Sequence, residues 1–522
     1  MGPNEYVFRY RRIGNMQMAS KRRVGALISY IHMAVQVVVQ LVYVPLLLNS
    51  IGQDEYGLYQ LIGSIMSYVV SVNGVLSAGV GRFYCKNLAE GEYEKGENTL
   101  AIARRIYWML SAIIVAVVGL LIGAFRCIYG TSFTPEQVDE CCLMLMVLSV
   151  NTVITMNNTI SIAAITAHER FVFLKLSSMA VLIAQPFLVI LLTRYFPNAL
   201  SVSCVILAMN VACTVVQSLY RRNVLCVGKN YYGWDSHLAK SLVRFSGSIV
   251  LVTVADQIFW KTDQLIVGYI FGATAVAIYS VGAQIYQVYM NIGVAAGSVF
   301  LPRISELYHK EHDIAGMSAL FIKFGRLNCM ALLFILGGFV VFGQDFIQMW
   351  VGDGYQDSYL IALIVMVPFT IDLIQNLGLT ILQVTNQYYF RGVMYLAIAV
   401  LNIFLTIALL LTWGLPGAAI STGISMLIGN GIIMNWYYEK RVGLDIASFW
   451  KEIVQVALPA IVSTVITGII YSLLSFTHNS WLSFLDGCIL YSLLYWVFCW
   501  MFGMNEFEKG LVLSLTRKFK SH

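Results

Sequence analysis

Three charged side chains stand where hydrocarbon is expected: Asp256, Lys261 and Asp263, all inside the apolar run 245–268. On insertion scales a charge at the bilayer centre costs about 2.5–3.5 kcal/mol, so each needs a cavity, a partner or an escape to the interface. On a helix Asp256 and Asp263 are two turns apart and share a face, whereas Lys261 sits about 140° round from Asp256. That geometry disfavours an ion pair within the helix and implies a partner on another one. Snorkelling stays open for Lys261 and Asp263, because Gly268 marks the near end of the run. A further carboxylate, Asp372, lies between Pro368 and the pair Gln375–Asn376. Proline removes a backbone hydrogen bond, so this stretch predicts an interrupted helix whose polar side chains line a cavity or repair the break. Asp256, Asp263 and Asp372 are the candidates for ion coupling, with H+ and Na+ both open, since a carboxylate binds either and its occupancy biases two conformations.

The polar residues singled out in the N-terminal half are neutral: His32, Gln36 and Gln40, then Asn73, then Asn151, Asn157 and Asn158. His32, Gln36 and Gln40 recur at helical spacing on one face. Such a stripe suits sugar hydroxyls, and equally suits adhesion between helices. Arg82 and Arg303 stand at the ends of two apolar runs, where a guanidinium fork matches phosphate oxygens or simply obeys the charge bias of membrane loops. Gln36, Gln40, Asn73, Arg82, Asn157, Asn158 and Arg303, together with Lys261, Gln375 and Asn376, make up the candidates for substrate contact.

The elements that must position them are membrane helices. Of the 522 residues 59% are hydrophobic and 11% charged, far from the balance of a soluble domain. Apolar runs of bilayer-spanning length recur from residue 26 to residue 503, too long for barrel strands. Fourteen spans are expected, with both termini in the cytoplasm. That orientation puts all but three of the 33 Lys and Arg on the inner side; Arg126 and Arg194 fall outside and Lys261 within a span. The formal charge of +6 is therefore a topological signal, and no nucleic-acid partner is expected. The basic arm 1–23 suits contact with anionic membrane lipid. No GxxxxGK[ST], HExxH, GxSxG or CxxC pattern occurs, so no catalytic residue, metal or cofactor is expected. Cys127 and Cys142 both fall near the outer surface, which leaves their pairing open.

The chain also repeats itself. SIGQDEYGLYQLIGSI, Ser50–Ile65, is echoed by YIFGATAVAIYSVGAQI, Tyr269–Ile285, with Gly52 on Gly272 and Tyr59 on Tyr279. The following helices end at GVGRF, Gly79–Phe83, and VFLPRI, Val299–Ile304, which pairs Arg82 with Arg303. A second echo relates ITAHERFVF, Ile165–Phe173, to VTNQYYFRG, Val384–Gly392. Both offsets cover six spans, which predicts an all-α polytopic fold of two pseudo-symmetric six-helix bundles plus two C-terminal helices. The boundaries read as an arm 1–23, a bundle 24–220, a loop 221–241, a bundle 242–438, helices 13 and 14 in 439–503, and a tail 504–522. Alternating access would rock spans 1–6 against spans 7–12.

YGLYQLIGSI with its closing GVGRF, and the passage ADQIFWKTDQLIVGYIFGATAVAIYSVGAQI, Ala255–Ile285, resemble bacterial polysaccharide exporters. These are the flippases of O-antigen and capsule repeat units within the multidrug/oligosaccharidyl-lipid/polysaccharide exporter superfamily. The resemblance implies a transporter and not an enzyme, residing in the bacterial inner membrane. Its implied cargo is an undecaprenyl-diphosphate-linked oligosaccharide moved from the cytoplasmic to the outer leaflet. A polysaccharide polymerase or other assembly protein stays open as a partner. Two other cargoes stay open on the same architecture: an organic cation, as in a cation-coupled multidrug exporter, and a peptidoglycan precursor.

Overall fold

The computed structural model describes residues 28, 31–228, 230–294, 297–473 and 481–520, and of residues 72–78, 243–252, 298–299, 511 and 515–520 the backbone alone. The expected basic arm 1–23 lies outside the described residues, as does the side chain of Asn73. Every regular element among the described residues is helical. Twelve of these helices are long and apolar enough to cross a membrane. Leu120, Leu473 and Leu482 are each 76% exposed, an outlay of apolar surface that only lipid contact makes favourable.

The first part of the chain forms α1 (Ile31–Ile51), α2 (Gln53–Ala89), α3 (Tyr93–Tyr129), α4 (Pro135–Ala167), α5 (Phe171–Thr193) and α6 (Ala199–Asn223). These belong to one compact unit, which comprises Met1–Gln257 and Gly268–Thr274. Within it α4 packs against α2, α3 and α6. At 37 residues, α2 and α3 run to about 55 Å. Both exceed the roughly 30 Å thickness of a bilayer's hydrocarbon core. Thr134 begins α4 with a reciprocal capping box, its hydroxyl accepting from the Gln137 amide at 3.3 Å while Gln137 Oε1 accepts from the Thr134 amide at 3.1 Å. The start of α6 is capped by three side chains. Asn198 Oδ1 accepts from Ser201 N, Glu55 Oε2 from Ala199 N and Glu140 Oε1 from Leu200 N, at 3.0, 2.7 and 3.0 Å.

The second unit comprises Ile258–Val267 and Ala275–His522. Helix α7 (Ser236–Val294) contributes to both units and breaks at Gly272, with φ 79° and ψ −171°. Tyr279 bonds Asp263 and Gln264 bonds Ser280, so the arms on either side of Gly272 lie side by side and the chain folds back there. Gly52, between α1 and α2, has φ 85° and ψ 172°, nearly the same conformation, and one that a side chain would strain. The sequence echo of Gly52 and Gly272 is thus also an echo of backbone geometry.

Then follow α8 (Leu301–Glu306), α9 (Ile314–Val351), α10 (Gln356–Ile374), α11 (Leu377–Val384), α12 (Tyr388–Trp413) and α13 (Leu415–Val442). The chain closes with α14 (Ile446–Leu473), α15 (Trp481–Gly503) and α16 (Glu506–Lys520). The residues expected as a tail therefore include a helix, and it is tied down. Arg326 of α9, 2% exposed, donates from Nε and Nη2 to the Glu508 carboxylate of α16 at 2.7 and 2.8 Å. Its Nη1 reaches Glu452 Oε2 of α14 at 2.7 Å, and Nη2 also reaches the Gly503 carbonyl at 2.8 Å. The ion pairs of this clasp join α9, α14 and α16 of the second unit, and the Gly503 bond adds α15.

Candidate functional site

Asp263 is 2% exposed, deep inside the second unit. Its carboxylate is ringed by neutral donors from three helices. The Tyr279 hydroxyl, beyond the Gly272 turn, donates to Oδ2 at 2.9 Å, and the Thr422 hydroxyl of α13 donates to the same oxygen at 2.5 Å. On Oδ1 converge the Thr406 hydroxyl at 2.9 Å and Asn402 Nδ2 at 3.4 Å, both from α12. Behind them Ser421 Oγ bonds Thr406 at 2.5 Å and donates to Asn402 Oδ1 at 3.1 Å, while Ser425 donates to Asn402 Oδ1 at 3.3 Å. No cationic side chain pairs with Asp263 among the described residues. The outcome is a buried carboxyl group whose neighbours are amphoteric: hydroxyls that donate to a carboxylate also present oxygens to a cation. Snorkelling of Asp263 to the interface does not occur, because the Gly272 fold-back gives it Tyr279 as a partner.

A second polar group surrounds the expected helix break. Helix α10 ends at Ile374 and α11 begins at Leu377, with Gln375 and Asn376 between them, both buried. Asn328 of α9 donates to the Leu373 carbonyl at 2.7 Å and to the Gly293 carbonyl at 3.1 Å, so a neighbouring helix satisfies the interrupted backbone. Gln375 Nε2 donates to Asn435 Oδ1 at 3.2 Å. Asp372 is half-buried, within electrostatic reach of Arg391 and Tyr395 of α12. Arg391 Nη2 donates to the Tyr395 hydroxyl at 3.2 Å and its guanidinium lies 4.7 Å from that ring's centroid. A carboxylate, a guanidinium and a phenol are thus gathered beside the break.

A family model described as "Polysaccharide biosynthesis protein" matches residues 25–308, more than half of the chain. The chain belongs to that family. It is 20% identical over 500 residues to EpsK of Bacillus subtilis (strain 168), an uncharacterized membrane protein, covering 91% of this chain and 94% of that one. It is 20% identical over 400 residues to a Shigella flexneri protein provisionally named an O-antigen transporter, covering 76% and 92%. Among solved structures the fold matches the inward closed conformation of the lipid II flippase MurJ, with TM-score 0.70, 15% identity and coverage of 94% and 99%. It also matches an inward-facing multidrug resistance MATE transporter, with TM-score 0.59, 13% identity and coverage of 81% and 99%. The polysaccharide-exporter resemblance read from the sequence agrees with that family, and the fold agrees with the MurJ and MATE structures.

The other candidates of this family member are dispersed. Lys261 is half-buried on the first arm of α7, with no hydrogen bond or ion pair among the described residues. Asp256 is half-buried and engaged, in the first unit. In α1, Gln36 is exposed and Gln40 is half-buried and engaged. Asn157 donates to Ser111 of α3 at 3.2 Å, and Asn158 to Gln217 of α6 at 2.7 Å, which in turn reaches Ser177 of α5 at 3.0 Å. These asparagines tie the helices of the first unit together, although the Oδ1 atoms of both have no protein partner. Arg82 is exposed and engaged at the end of α2. Arg303 is exposed and paired with Glu306 at 2.9 Å and Glu311 at 2.8 Å, contacts that hold its pKa above the usual arginine range. Cys127 and Cys142 are both free thiols.

Sequence reasoning missed Arg391 as a cation facing Asp372, having counted it with the inner loops. It also missed Asn402, Thr406 and Thr422 as partners of Asp263. A signal existed: Asn402 and Thr406 are one helical turn apart in an otherwise apolar span, and STGIS, Ser421–Ser425, concentrates hydroxyls in the next.

Proposed function

We propose that this chain is a flippase that moves a polyprenyl-diphosphate-linked saccharide from the cytoplasmic to the outer leaflet of the bacterial inner membrane by alternating access. Asp263 is the proposed site at which H+ or Na+ binding biases the second unit between conformations. The observation that carries the coupling is a carboxylate fully withdrawn from water and met only by neutral hydroxyl and amide donors. Burying such a charge is costly unless a cation or proton shares the site during part of the cycle. Lys261, Arg391 and Asp372 are proposed to meet the polar part of the cargo, with Gln375 and Asn376 lending amides. We further read α2 as a crossing and divide the Thr253–Val294 segment at Gly272, which brings the twelve crossings to fourteen with both ends in the cytoplasm.

Two cargoes answer the description, an O-antigen or capsule repeat unit and a peptidoglycan precursor. The sequence relative from Shigella flexneri favours the first. The peptidoglycan reading draws on the lipid II flippase fold, which covers more of this chain than the MATE fold does. The test is flipping in reconstituted vesicles of lipid-diphosphate oligosaccharide, and separately of lipid II, with imposed proton or sodium gradients. Gradient-dependent flipping of either, abolished by Asp263→Asn, supports the reading and chooses the cargo. Export of organic cations with no movement of lipid-linked sugar hands the function to the multidrug alternative.

A further inference from the structure

At one end of the first unit three arginines gather around a turn. Arg104 belongs to α3, and Arg221 and Arg222 close α6; the turn 224–228 follows. Arg221 is 3% exposed, and its Nε and Nη1 have no hydrogen-bond partner. Its charged neighbours include Arg104 and Arg222, both of like sign, and Glu97. Glu97 is itself committed to the turn: its Oε1 accepts from the Gly228 amide at 2.6 Å and its Oε2 from the Asn230 amide at 3.2 Å. Arg104 Nη2 donates to the Gly228 carbonyl at 2.9 Å. Gly228 has φ 72°, and a Cβ there would overlap the Arg221 guanidinium, so the turn closes tightly over that side chain.

A guanidinium does not discharge by losing a proton, and one buried beside two like charges with two of its nitrogens unmatched is unfavourable by itself. The arrangement becomes favourable when an anion with several acceptor oxygens bridges the forks, which is the geometry phosphate offers. Arg221 and Arg222 lie in the last turn of α6 and Arg104 in the first third of α3, both helices long and apolar enough to cross a membrane. The charge bias of membrane loops assigns this basic end to the inner leaflet, where lipid phosphates lie.

We propose that Arg221, Arg104 and Arg222 form a binding site for the phosphate group of a membrane lipid at the inner end of the first unit. Arg221 anchors the anion from below, Arg104 links it to the Gly228 turn, and exposed Arg222 receives it. The phosphate has two possible carriers, a phospholipid headgroup and the diphosphate of a polyprenyl carrier. The site does not depend on ion-coupled transport by Asp263, since binding alone reveals it.

The experiment uses the full chain in a phosphate-free maltoside detergent, with and without added phosphatidylglycerol and with and without inorganic pyrophosphate. Thermal unfolding and native mass spectrometry read the outcome. The wild-type protein is expected to retain phosphatidylglycerol or to gain about 3 °C from one of the two anions. Arg221→Met is expected to lose that gain while melting no lower than wild type in the anion-free state. Where Arg221→Met fails to fold, Arg222→Gln at the exposed position is expected to weaken binding roughly tenfold. Gain from phosphatidylglycerol alone identifies a headgroup; gain from pyrophosphate identifies a diphosphate. Equal gains in wild type and both variants, or no gain from either anion, overturn the site.

Discussion

Two buried charges of the second unit are treated in opposite ways. Arg326 meets the Glu508 carboxylate in a bidentate pair and Glu452 besides, so its charge is matched within the protein and every nitrogen is bonded. Asp263 is equally buried but meets only hydroxyls and an amide. A closed ion pair has nothing further to bind, and its loss leaves an orphaned charge. A carboxylate caged by neutral donors keeps a net charge that a mobile cation or proton can cancel. The first arrangement fixes three helices together; the second is suited to changing occupancy.

The comparison breaks most visibly at the clasp. Arg326→Met leaves Glu508 buried without its partner and is expected to cost about 3–5 kcal/mol, read as a lower melting temperature and faster inactivation in detergent. Arg326→Met combined with Glu508→Leu should recover most of that loss; if the double variant is as unstable as the single one, the pair is not the source of the stability. At Asp263 the pattern should invert. Asp263→Asn is expected to reduce gradient-driven flipping roughly a hundredfold, a few kcal/mol of lost differential binding, while thermal stability stays level or rises because a desolvated charge has gone. Thr422→Val sharpens the contrast by deleting one donor at nearly constant shape. It should cost about 1 kcal/mol and shift the apparent ion affinity, with maximal flux retained at saturating ion; unchanged affinity would sever Thr422 from the site.

The smallest effect concerns Glu55, in the first turn of α2. Burial raises its pKa above the ordinary glutamate value, opposed by its bond to the Ala199 amide, and nearby Glu140 raises it further. The folded protein therefore holds this proton more tightly than the unfolded chain. That contribution to stability is complete below the ordinary glutamate pKa and is lost as pH rises through the raised one. Glu55→Gln should flatten the pH dependence of melting in that interval, and an unaltered slope would place the proton elsewhere.

Much of the architecture was legible because lipid imposes simple rules. Uninterrupted apolar runs announce helices, and the Pro368 to Asn376 stretch announces a break that the structure contains between α10 and α11. Asp263 was legible as a group needing an explanation, since no apolar helix keeps a carboxylate without cause. Its partners were not. Asn402, Thr406 and Thr422 cost little in a membrane helix by themselves, so nothing in their own spans marks them as a site. The same limit applies to Asn157 and Asn158, whose bonds to Ser111 and Gln217 nothing in their own span announces.

By itself the sequence determined that the chain crosses a membrane many times as helices, and that Gly52 and Gly272 mark equivalent turns. Hydropathy, charge bias and glycine act locally, so they can be read residue by residue. Only the tertiary structure decided which polar groups meet. The Gly272 fold-back brings Tyr279 to Asp263, α12 and α13 bring the threonines, and α9 delivers Arg326 to a helix 182 residues further along. Hydrogen bonds and ion pairs act over about 3 Å, and packing alone sets which side chains come that close.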